Sequence, residues 1–132
     1  MLLLSFMNRP IRILFVEDDP EMRAVYQENF ARPEFEATSA PNGTKAMEIL
    51  GKTSEFDVVV SDNYMPEMDG ITLLKRMHEL YPELKVVIVS GYGNWSDYVE
   101  AHNLGVWRFI DKPVKIADLK KLIRTMDGAA AS

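Results

Sequence analysis

Four short apolar segments of this 132-residue chain each end in a polar or charged group. Glu17 and Asp18 follow one segment, and Asp62 ends another. Ser90 ends a third segment, and Lys112 follows a fourth. Open α/β sheets build their sites at the carboxyl ends of strands, so the sequence predicts that these side chains meet at one edge of a sheet. The negative charge concentrated around Asp18 and Asp62 would need a cation.

Asp62 is the candidate nucleophile, because a carboxylate can attack a phosphoryl group once their mutual repulsion is cancelled. Mg²⁺ takes about six oxygen ligands and keeps several waters, so Asp18 and Asp62 can supply part of its coordination sphere. The metal cancels like charge and aligns the transferring oxygens. Lys112 can neutralise a further oxygen as a compact point charge. Ser90 can donate a hydrogen bond to the acyl phosphate once it has formed.

Apolar and amphipathic segments alternate along the chain and predict five βα units. The predicted strands are residues 11–16, 35–40, 56–61, 85–90 and 106–110. The predicted helices are residues 20–31, 46–51, 71–80, 95–103 and 115–126. Short links imply right-handed crossovers and an α/β fold, a flavodoxin-like (βα)5 doubly wound parallel sheet with strand order 2-1-3-4-5. Asp18 and Asp62 then meet at the switch point between the first and third strands.

The composition fits one soluble domain and excludes several kinds of site. Hydrophobic residues make up 47% of the chain and charged residues 27%, which provides for a core and a polar surface. A formal net charge of -5, with no stripe of Lys or Arg, argues against direct binding of nucleic acid. The absence of cysteine excludes disulfides and thiolate sites. His78 and His102 are interpreted as ordinary helix residues rather than zinc ligands.

Both ends of the chain are assigned to segments outside the predicted domain, which covers residues 10–126. Residues 1–9 contain an apolar run that is too short to span a bilayer and lacks the features of a signal peptide. We expect them to be a disordered or vector-derived extension, with Met7 as an alternative start. Residues 127–132 are predicted to be a frayed C-terminal tail. A cytoplasmic location without a membrane partner is expected.

Together these motifs resemble the receiver domain of bacterial two-component response regulators, over about residues 12–126. The landmarks are the run 13–20 (ILFVEDDP), Asp62 with Pro66 four residues later, the run 68–70 (MDG), the run 89–91 (VSG) and Lys112-Pro113. Each motif alone is weak. In this order, at strand ends and with these separations, they are specific, because a motif gains weight from its structural context.

The resemblance implies a role for each residue of the site. Asp62 would accept a phosphoryl group from the phosphohistidine of a sensor kinase, and Lys112 would be the lysine of the family's motif. Ser90 would be the switch hydroxyl, drawn toward the phosphoryl group. Phe109 would be the switch aromatic, which rotates into the space that Ser90 leaves.

A metal site is also implied by the resemblance. Mg²⁺, or Mn²⁺ in its place, would be bound by Asp18, Asp62 and the backbone carbonyl of Tyr64. Glu17 would act on the metal through water. Pro113 is expected to follow a cis peptide that aims the preceding lysine.

The expected partners follow from the same resemblance. A sensor histidine kinase or a phosphotransfer protein would donate the phosphoryl group, and an output domain or a target protein would respond. A phosphorylation-dependent dimer is left open. The domain would be a signalling switch rather than an enzyme, catalysing only its own phosphorylation and dephosphorylation. The sequence does not choose between a stand-alone receiver and a domain excised from a larger protein.

Some residues depart from common family patterns. Tyr64 is bulky, and we expect it to shield the acyl phosphate from water. Arg108 stands where the winged-helix transcription factors have an acidic residue, which puts their dimer contacts in doubt here. Trp95 or Trp107 is predicted to help form the output surface, over the fourth helix, fifth strand and last helix.

The residues also bear on three alternatives to the receiver function. A haloacid dehalogenase-type phosphatase needs a second acid two residues after Asp62, where this chain has Tyr64. A flavodoxin needs a loop that cradles phosphate after the first strand, where Glu17 and Asp18 would repel it. The remaining alternative is a degenerate receiver-like interaction module that acts without phosphorylation.

Overall fold

Five parallel strands form one sheet in the part of the chain that the computed structural model describes, residues 9–53, 55–91 and 94–131. The strands are β1 (Ile11–Val16), β2 (Phe35–Ala40), β3 (Val58–Asp62), β4 (Lys85–Ser90) and β5 (Arg108–Asp111). Their order is β2-β1-β3-β4-β5, and each neighbouring pair is parallel. This confirms the predicted doubly wound, flavodoxin-like topology.

Burial follows the position of each strand in the sheet. The central strand β3 is buried at every position, as its unbroken apolar run Val58, Val59 and Val60 predicts. The edge strand β2 has half-exposed residues in its middle, in agreement with its more polar sequence. The other edge strand, β5, has no fully buried residue.

Five helices cover the two faces of the sheet in the described residues. They are α1 (Pro20–Asn29), α2 (Gly43–Lys52), α3 (Gly70–Leu80), α4 (Trp95–Asn103) and α5 (Ile116–Ala131). The first four begin after a side chain that accepts a hydrogen bond from a backbone N–H of the first turn; these caps are Asp19, Asn42, Asp69 and Asn94. No helix in these ranges is both long and apolar enough for a bilayer crossing.

Alternate residues of β1 point to opposite faces and so divide the core in two. Ile13 and Phe15 lie in the cluster that α1 and α5 cover. Leu14 and Val16 lie in the cluster that α2, α3 and α4 cover. With both faces covered, the carboxyl edge of the sheet is where polar side chains from several strands can meet.

Several element boundaries differ from the prediction. Strand β3 extends to Asp62 itself, because Asp62 still pairs in register with Val89. Strand β5 begins at Arg108 rather than residue 106. Helix α2 begins at Gly43 and continues past the predicted stop at Gly51 to Lys52.

Helix α5 continues to Ala131, beyond the predicted end at Met126. The run of alanines favours helix strongly enough to tolerate Gly128, which costs about 1 kcal/mol relative to alanine. The predicted frayed tail is therefore wrong for residues 127–131. Residues 1–8 and Ser132 lie outside the described residues, so their assignment stays a prediction. Arg9, assigned to the extension, is bonded to Asp57 of the domain.

Candidate functional site

The predicted acidic residues are gathered at the carboxyl edge of the sheet. Strands β1 and β3 lie side by side with Val16 opposite Ser61, so the residues that follow them are neighbours. One carboxylate oxygen from each of Glu17, Asp18 and Asp62 lies within 4.8 Å of the others. The topology thus brings together the acids that the sequence singled out.

Asp62 is buried and held in place by two donors. Its side chain belongs to a residue that is only 8% exposed. Oδ1 lies 2.7 Å from Nζ of Lys112 and accepts a hydrogen bond from the backbone N–H of Asn63 at 3.1 Å. Among the described residues, Oδ2 accepts no hydrogen bond and is left free for chemistry.

Glu17 is an acid of this cluster with a raised pKa, and burial is the main cause. Burial raises its pKa to about 7, with a further contribution from the negative charge of Asp62. The backbone N–H of Asp19, which donates to Oε2 at 3.1 Å, and the charge of Lys112 oppose the shift without cancelling it. The phenol of Tyr26 is affected too: burial, Glu17 and Asp62 raise its pKa to about 12.

Lys112 supplies the cation of the site. Burial acts to lower the pKa of its ammonium, but the hydrogen bond to Asp62 and the charges of Asp62, Glu17 and Asp18 outweigh burial and raise it. The Lys112–Pro113 peptide is cis, as the sequence predicted. The lysine therefore remains charged and directed at the acidic cluster.

The donor set fits a hard divalent cation. All of the clustered ligand atoms are carboxylate oxygens, which Mg²⁺ prefers over nitrogen and sulfur donors. Among the described residues, three carboxylates share this cluster with a single lysine, so the groups present carry excess negative charge. A bound cation would remove this repulsion.

An open cleft of about 680 Å³ gives access to the cluster. Its lining residues are Glu17, Asp18, Asp19, Met22, Tyr26, Asp62, Val89, Lys112, Pro113 and Val114. Helix α1 contributes Met22 and Tyr26, which the sequence analysis did not place in the site. The signal that could have found them is position, because they follow the capping Asp19 within the first two turns.

Ser90 and Phe109 are neighbours of the site on adjoining strands. Ser90 is fully buried, and its Oγ has no hydrogen-bond partner among the residues that the structure describes. A buried hydroxyl without a partner costs about 1–3 kcal/mol, so a new acceptor nearby would be favourable. Phe109 is half-buried on β5 opposite Ile88, and its ring meets that of Tyr98 edge-on at 5.7 Å. The switch roles of Ser90 and Phe109 stay predictions.

Tyr64 lies in the loop after β3, where its backbone carbonyl stays the predicted metal ligand. Its side chain is 42% exposed, and its hydroxyl donates to Oδ2 of Asp97 on α4 at 2.6 Å. The ring is thereby turned toward α4, and it does not line the cleft at Asp62. Shielding of an acyl phosphate by this ring would need a different side-chain orientation. Asp97 was missed by the sequence analysis, since a first-turn acid is ordinary in a helix.

The predicted output residues are placed differently from each other. Trp95 is 73% exposed and stacks on Tyr98 at 5.3 Å, at the start of α4. Trp107 is half-buried beneath the guanidinium of Arg108, on the face covered by α1 and α5. Of the two tryptophans, Trp95 is therefore the one that presents a large exposed aromatic surface beside Phe109.

The family model described as response regulator receiver domain matches residues 13–124. The chain belongs to this family. It is a receiver domain of the kind found in two-component systems. Such domains generally bind Mg²⁺ at an acidic pocket. The match covers every residue that the sequence analysis placed in the site.

Relatives and solved structures agree with this assignment. The receiver domain is 31% identical to sporulation initiation phosphotransferase F of Bacillus subtilis over 113 residues, which are 86% of this chain and 90% of that protein. It is 27% identical to the response regulator protein PilR of Pseudomonas aeruginosa over 86% of this chain, but spans only 25% of PilR. A CheY-like receiver domain protein from Methanospirillum hungatei superimposes with a TM-score of 0.83, at 27% identity, covering 89% of this chain and 93% of that one.

Proposed function

We propose that this receiver domain accepts a phosphoryl group on Asp62, in a Mg²⁺-dependent reaction, from the phosphohistidine of a sensor kinase or a phosphotransfer protein. The observation that carries the proposal is the buried Asp62 with Lys112 at 2.7 Å and the carboxylates of Glu17 and Asp18 within 4.8 Å. The relative named as a phosphotransferase is matched over 90% of its length, which supports phosphoryl transfer rather than a different use of the fold.

The transfer step begins with Oδ2 of Asp62, the oxygen that accepts no bond from the described residues. This oxygen attacks phosphorus while the P–N bond of the phosphohistidine breaks, and its electron pair returns to the imidazole. The product is an acyl phosphate on Asp62. Lys112, held on Oδ1, neutralises charge on the transferring group from one side. Hydrolysis reverses the attachment, with water attacking phosphorus and the carboxylate leaving.

Mg²⁺ or Mn²⁺, held by Asp18, Asp62 and the carbonyl of Tyr64 with Glu17 acting through water, would supply charge neutralisation and alignment of the phosphoryl oxygens. The chain's own contribution is to hold the acids fixed before the reaction. Glu17 is fastened by the N–H of Asp19, and Asp62 by the N–H of Asn63. Little reorganisation is then needed when the cation binds.

The switch begins at Ser90. A phosphoryl group brings negative charge and three acceptor oxygens next to a buried hydroxyl that has no hydrogen-bond partner among the described residues. Ser90 moves to donate to one of those oxygens, and Phe109 takes the space it leaves. The edge-on contact with Tyr98 carries this change to α4 and to the exposed Trp95, which forms the output surface. An output domain or a target protein reads that surface.

The acceptor is tested by incubating the protein with acetyl phosphate and Mg²⁺ and measuring intact mass. We expect one phosphoryl adduct in the parent protein and none in Asp62→Asn. Asp111→Asn is the matched control, because Asp111 is an exposed carboxylate at the end of β5 on the same edge but outside the cluster. An adduct that persists in Asp62→Asn would contradict the assignment. A parent protein without any adduct would favour the interaction module that acts without phosphorylation.

A further inference from the structure

One carboxylate oxygen on α4 receives two hydrogen bonds from the loop that follows the acceptor. Oδ2 of Asp97 accepts from Nδ2 of Asn63 at 3.1 Å and from the hydroxyl of Tyr64 at 2.6 Å. Asn63 and Tyr64 are the first two residues after Asp62. A single atom in the first turn of α4 is therefore bonded to both side chains that adjoin the phosphorylation site.

The loop residue Asn63 is fixed at its backbone as well as at its side chain. Its N–H donates to the carbonyl of Val89 at 2.9 Å, and its carbonyl accepts from the N–H of Gly70 at 2.7 Å. A Cβ at Gly70 would lie 2.7 Å from the carbonyl oxygen of Asp62 and 2.9 Å from Cα of Asn63, so the backbones touch. A displacement of Asp62 must therefore move Asn63, and with it the partner on α4.

The bond from Tyr64 is of the strong kind. A distance of 2.6 Å is in the range of O–H donors on an ionised carboxylate. Donation to Asp97 raises the pKa of the Tyr64 phenol, against the opposing effect of Asn94 and Ser90. The phenol thus keeps its proton and remains a donor.

The buried side-chain amide of Asn63, whose hydrogen bonding is incomplete, makes this arrangement sensitive to change. Asn63 is only 1% exposed, and Oδ1 of its side chain is buried with no hydrogen-bond partner in the described part of the chain. Within that part, the side-chain amide donates to Asp97, and its oxygen would gain from any new donor. Oγ of Ser90, on the adjoining strand, has no hydrogen-bond partner there either.

Asp97, the α4 residue that accepts these two hydrogen bonds, lies next to the output surface. Trp95 is in the same first turn as Asp97, is 73% exposed and stacks on Tyr98. Tyr98 also stacks on His102 at 6.0 Å, so the aromatic surface is rigidly attached to this helix. A shift of the first turn would move the exposed indole.

We propose that Asp97 is a positioning residue that fastens the first turn of α4 to the acceptor loop, so that the state of Asp62 reaches Trp95 directly through Asn63 and Tyr64. This route rests on the proposed function, and it differs from the movement of Ser90 and Phe109 in the hydrogen bonds that carry it, those from Asn63 and Tyr64 to Asp97. It also implies the reverse effect, because coupling between two sites is reciprocal. A partner that binds α4 would alter the acceptor loop through the same bonds.

The first test examines the resting protein and does not depend on phosphorylation. Tyr64→Phe removes the hydroxyl and keeps the ring, and Asp97→Ala removes the shared acceptor. Amide hydrogen exchange in residues 95–98 should become about fivefold faster in Tyr64→Phe, and at least as much faster in Asp97→Ala, which also loses the bond from Asn63. The double variant should match Asp97→Ala, since the bond between Tyr64 and Asp97 is already absent in that variant. Asp118→Ala is the matched control, an acid in the first turn of α5. Unchanged exchange in both variants would overturn the fastening role.

The second test examines transmission. In a Trp107→Phe background, Trp95 is the remaining one of the two tryptophans and reports on α4. Saturation with beryllofluoride and Mg²⁺ should change its fluorescence, and the change should fall to about half or less in Tyr64→Phe and Asp97→Ala, with Asp118→Ala unaffected. A response of full size in both variants would overturn the route through Asp97.

The two proposals fail in distinguishable ways. A parent protein that forms no phosphoryl adduct with acetyl phosphate overturns the proposed function and the transmission step together. An adduct accompanied by full-size Trp95 responses in both variants overturns only the role of Asp97. Faster exchange at α4 with a normal adduct and a diminished Trp95 response supports both.

Discussion

Asp57 and Asp62 lie at the two ends of β3, at the amino and carboxyl edges of the sheet, and their surroundings differ sharply. Asp57, just before the strand, accepts hydrogen bonds from both terminal nitrogens of Arg9, at 3.1 and 2.6 Å, and from the backbone N–H of Arg12 at 2.8 Å. Asp62, at the other end, shares its surroundings with two further carboxylates and one lysine. The same residue type is neutralised at one edge and left with excess negative charge at the other.

This difference marks the Asp62 end of β3 as the candidate for chemistry. Asp57 has its bonds satisfied by the fold and contributes to stability. Asp62 sits among like charges that the fold does not cancel, an arrangement that costs stability unless a cation binds. Unbalanced charge in a cleft is a better guide to function than the presence of an acid, because structural ion pairs are common.

Of the substitutions that compare the two ends of β3, Lys112→Ala should have the largest effect, which is on the rate of phosphorylation. Lys112→Ala should lower the rate constant of phosphorylation by acetyl phosphate about 100-fold, as expected when one preorganised charge is removed from a transferring group. Lys85→Ala is the matched control, since Lys85 begins β4 at the edge where Asp57 lies. Its rate constant should stay within about twofold of the parent's. Equal losses in the two variants would mean that net charge, not position, governs the reaction.

Asp57 should instead affect folding. Asp57→Ala should lower the free energy of unfolding by about 1–2 kcal/mol, because it removes the acceptor of the Arg12 N–H and the ion pair with Arg9. Urea denaturation measures this loss, and the phosphorylation rate constant should remain near that of the parent at a temperature where both are folded. A variant with normal stability and slow phosphorylation would reverse the assignment of the two edges.

Glu17 should make the smallest difference, and one that depends on pH. Its pKa is raised from 4.5 to about 7, so its contribution to stability is present below 4.5 and is lost as pH rises through about 7. In EDTA, Glu17→Gln should be no more stable than the parent at pH 5 but more stable by about 1 kcal/mol at pH 8, after allowance for solvent screening at an open cleft. Mg²⁺ should abolish the advantage. Parallel stability curves from pH 5 to 8 would contradict the excess charge.

Local sequence patterns were enough to predict the helices and strands whose ends are set by neighbouring residues. The apolar run of β1 was predicted with the bounds that the structure has, Ile11–Val16, since an acidic cluster ends it abruptly. The approach of Asp18 to Asp62 followed from topology, because strands that neighbour each other at a switch point bring their ends together. The last helix, α5, was predicted too short, because Gly128 was taken to mark its end and the alanines that follow were given less weight.

Contacts between distant side chains could not be predicted in the same way. Nothing in the sequence near Asp97 indicates that it will bond to Tyr64, since their distance in space depends on how α4 packs against the sheet. The orientation of Tyr64, expected over the acyl phosphate, was likewise decided by its partner on α4. The pairing of Arg9 with Asp57 shows the same limit at the other edge of the sheet.

The central claim is that phosphoryl chemistry belongs to Asp62 and to no other acid of its segment. Borohydride reduces an aspartyl phosphate to homoserine, so fragmentation of the reduced peptide that contains Asp57, Asp62 and Asp69 locates the modified residue. After treatment with acetyl phosphate, homoserine is predicted at position 62, with Mg²⁺ required for its formation. Homoserine at position 57 or 69, or its equal formation in EDTA, would contradict the account.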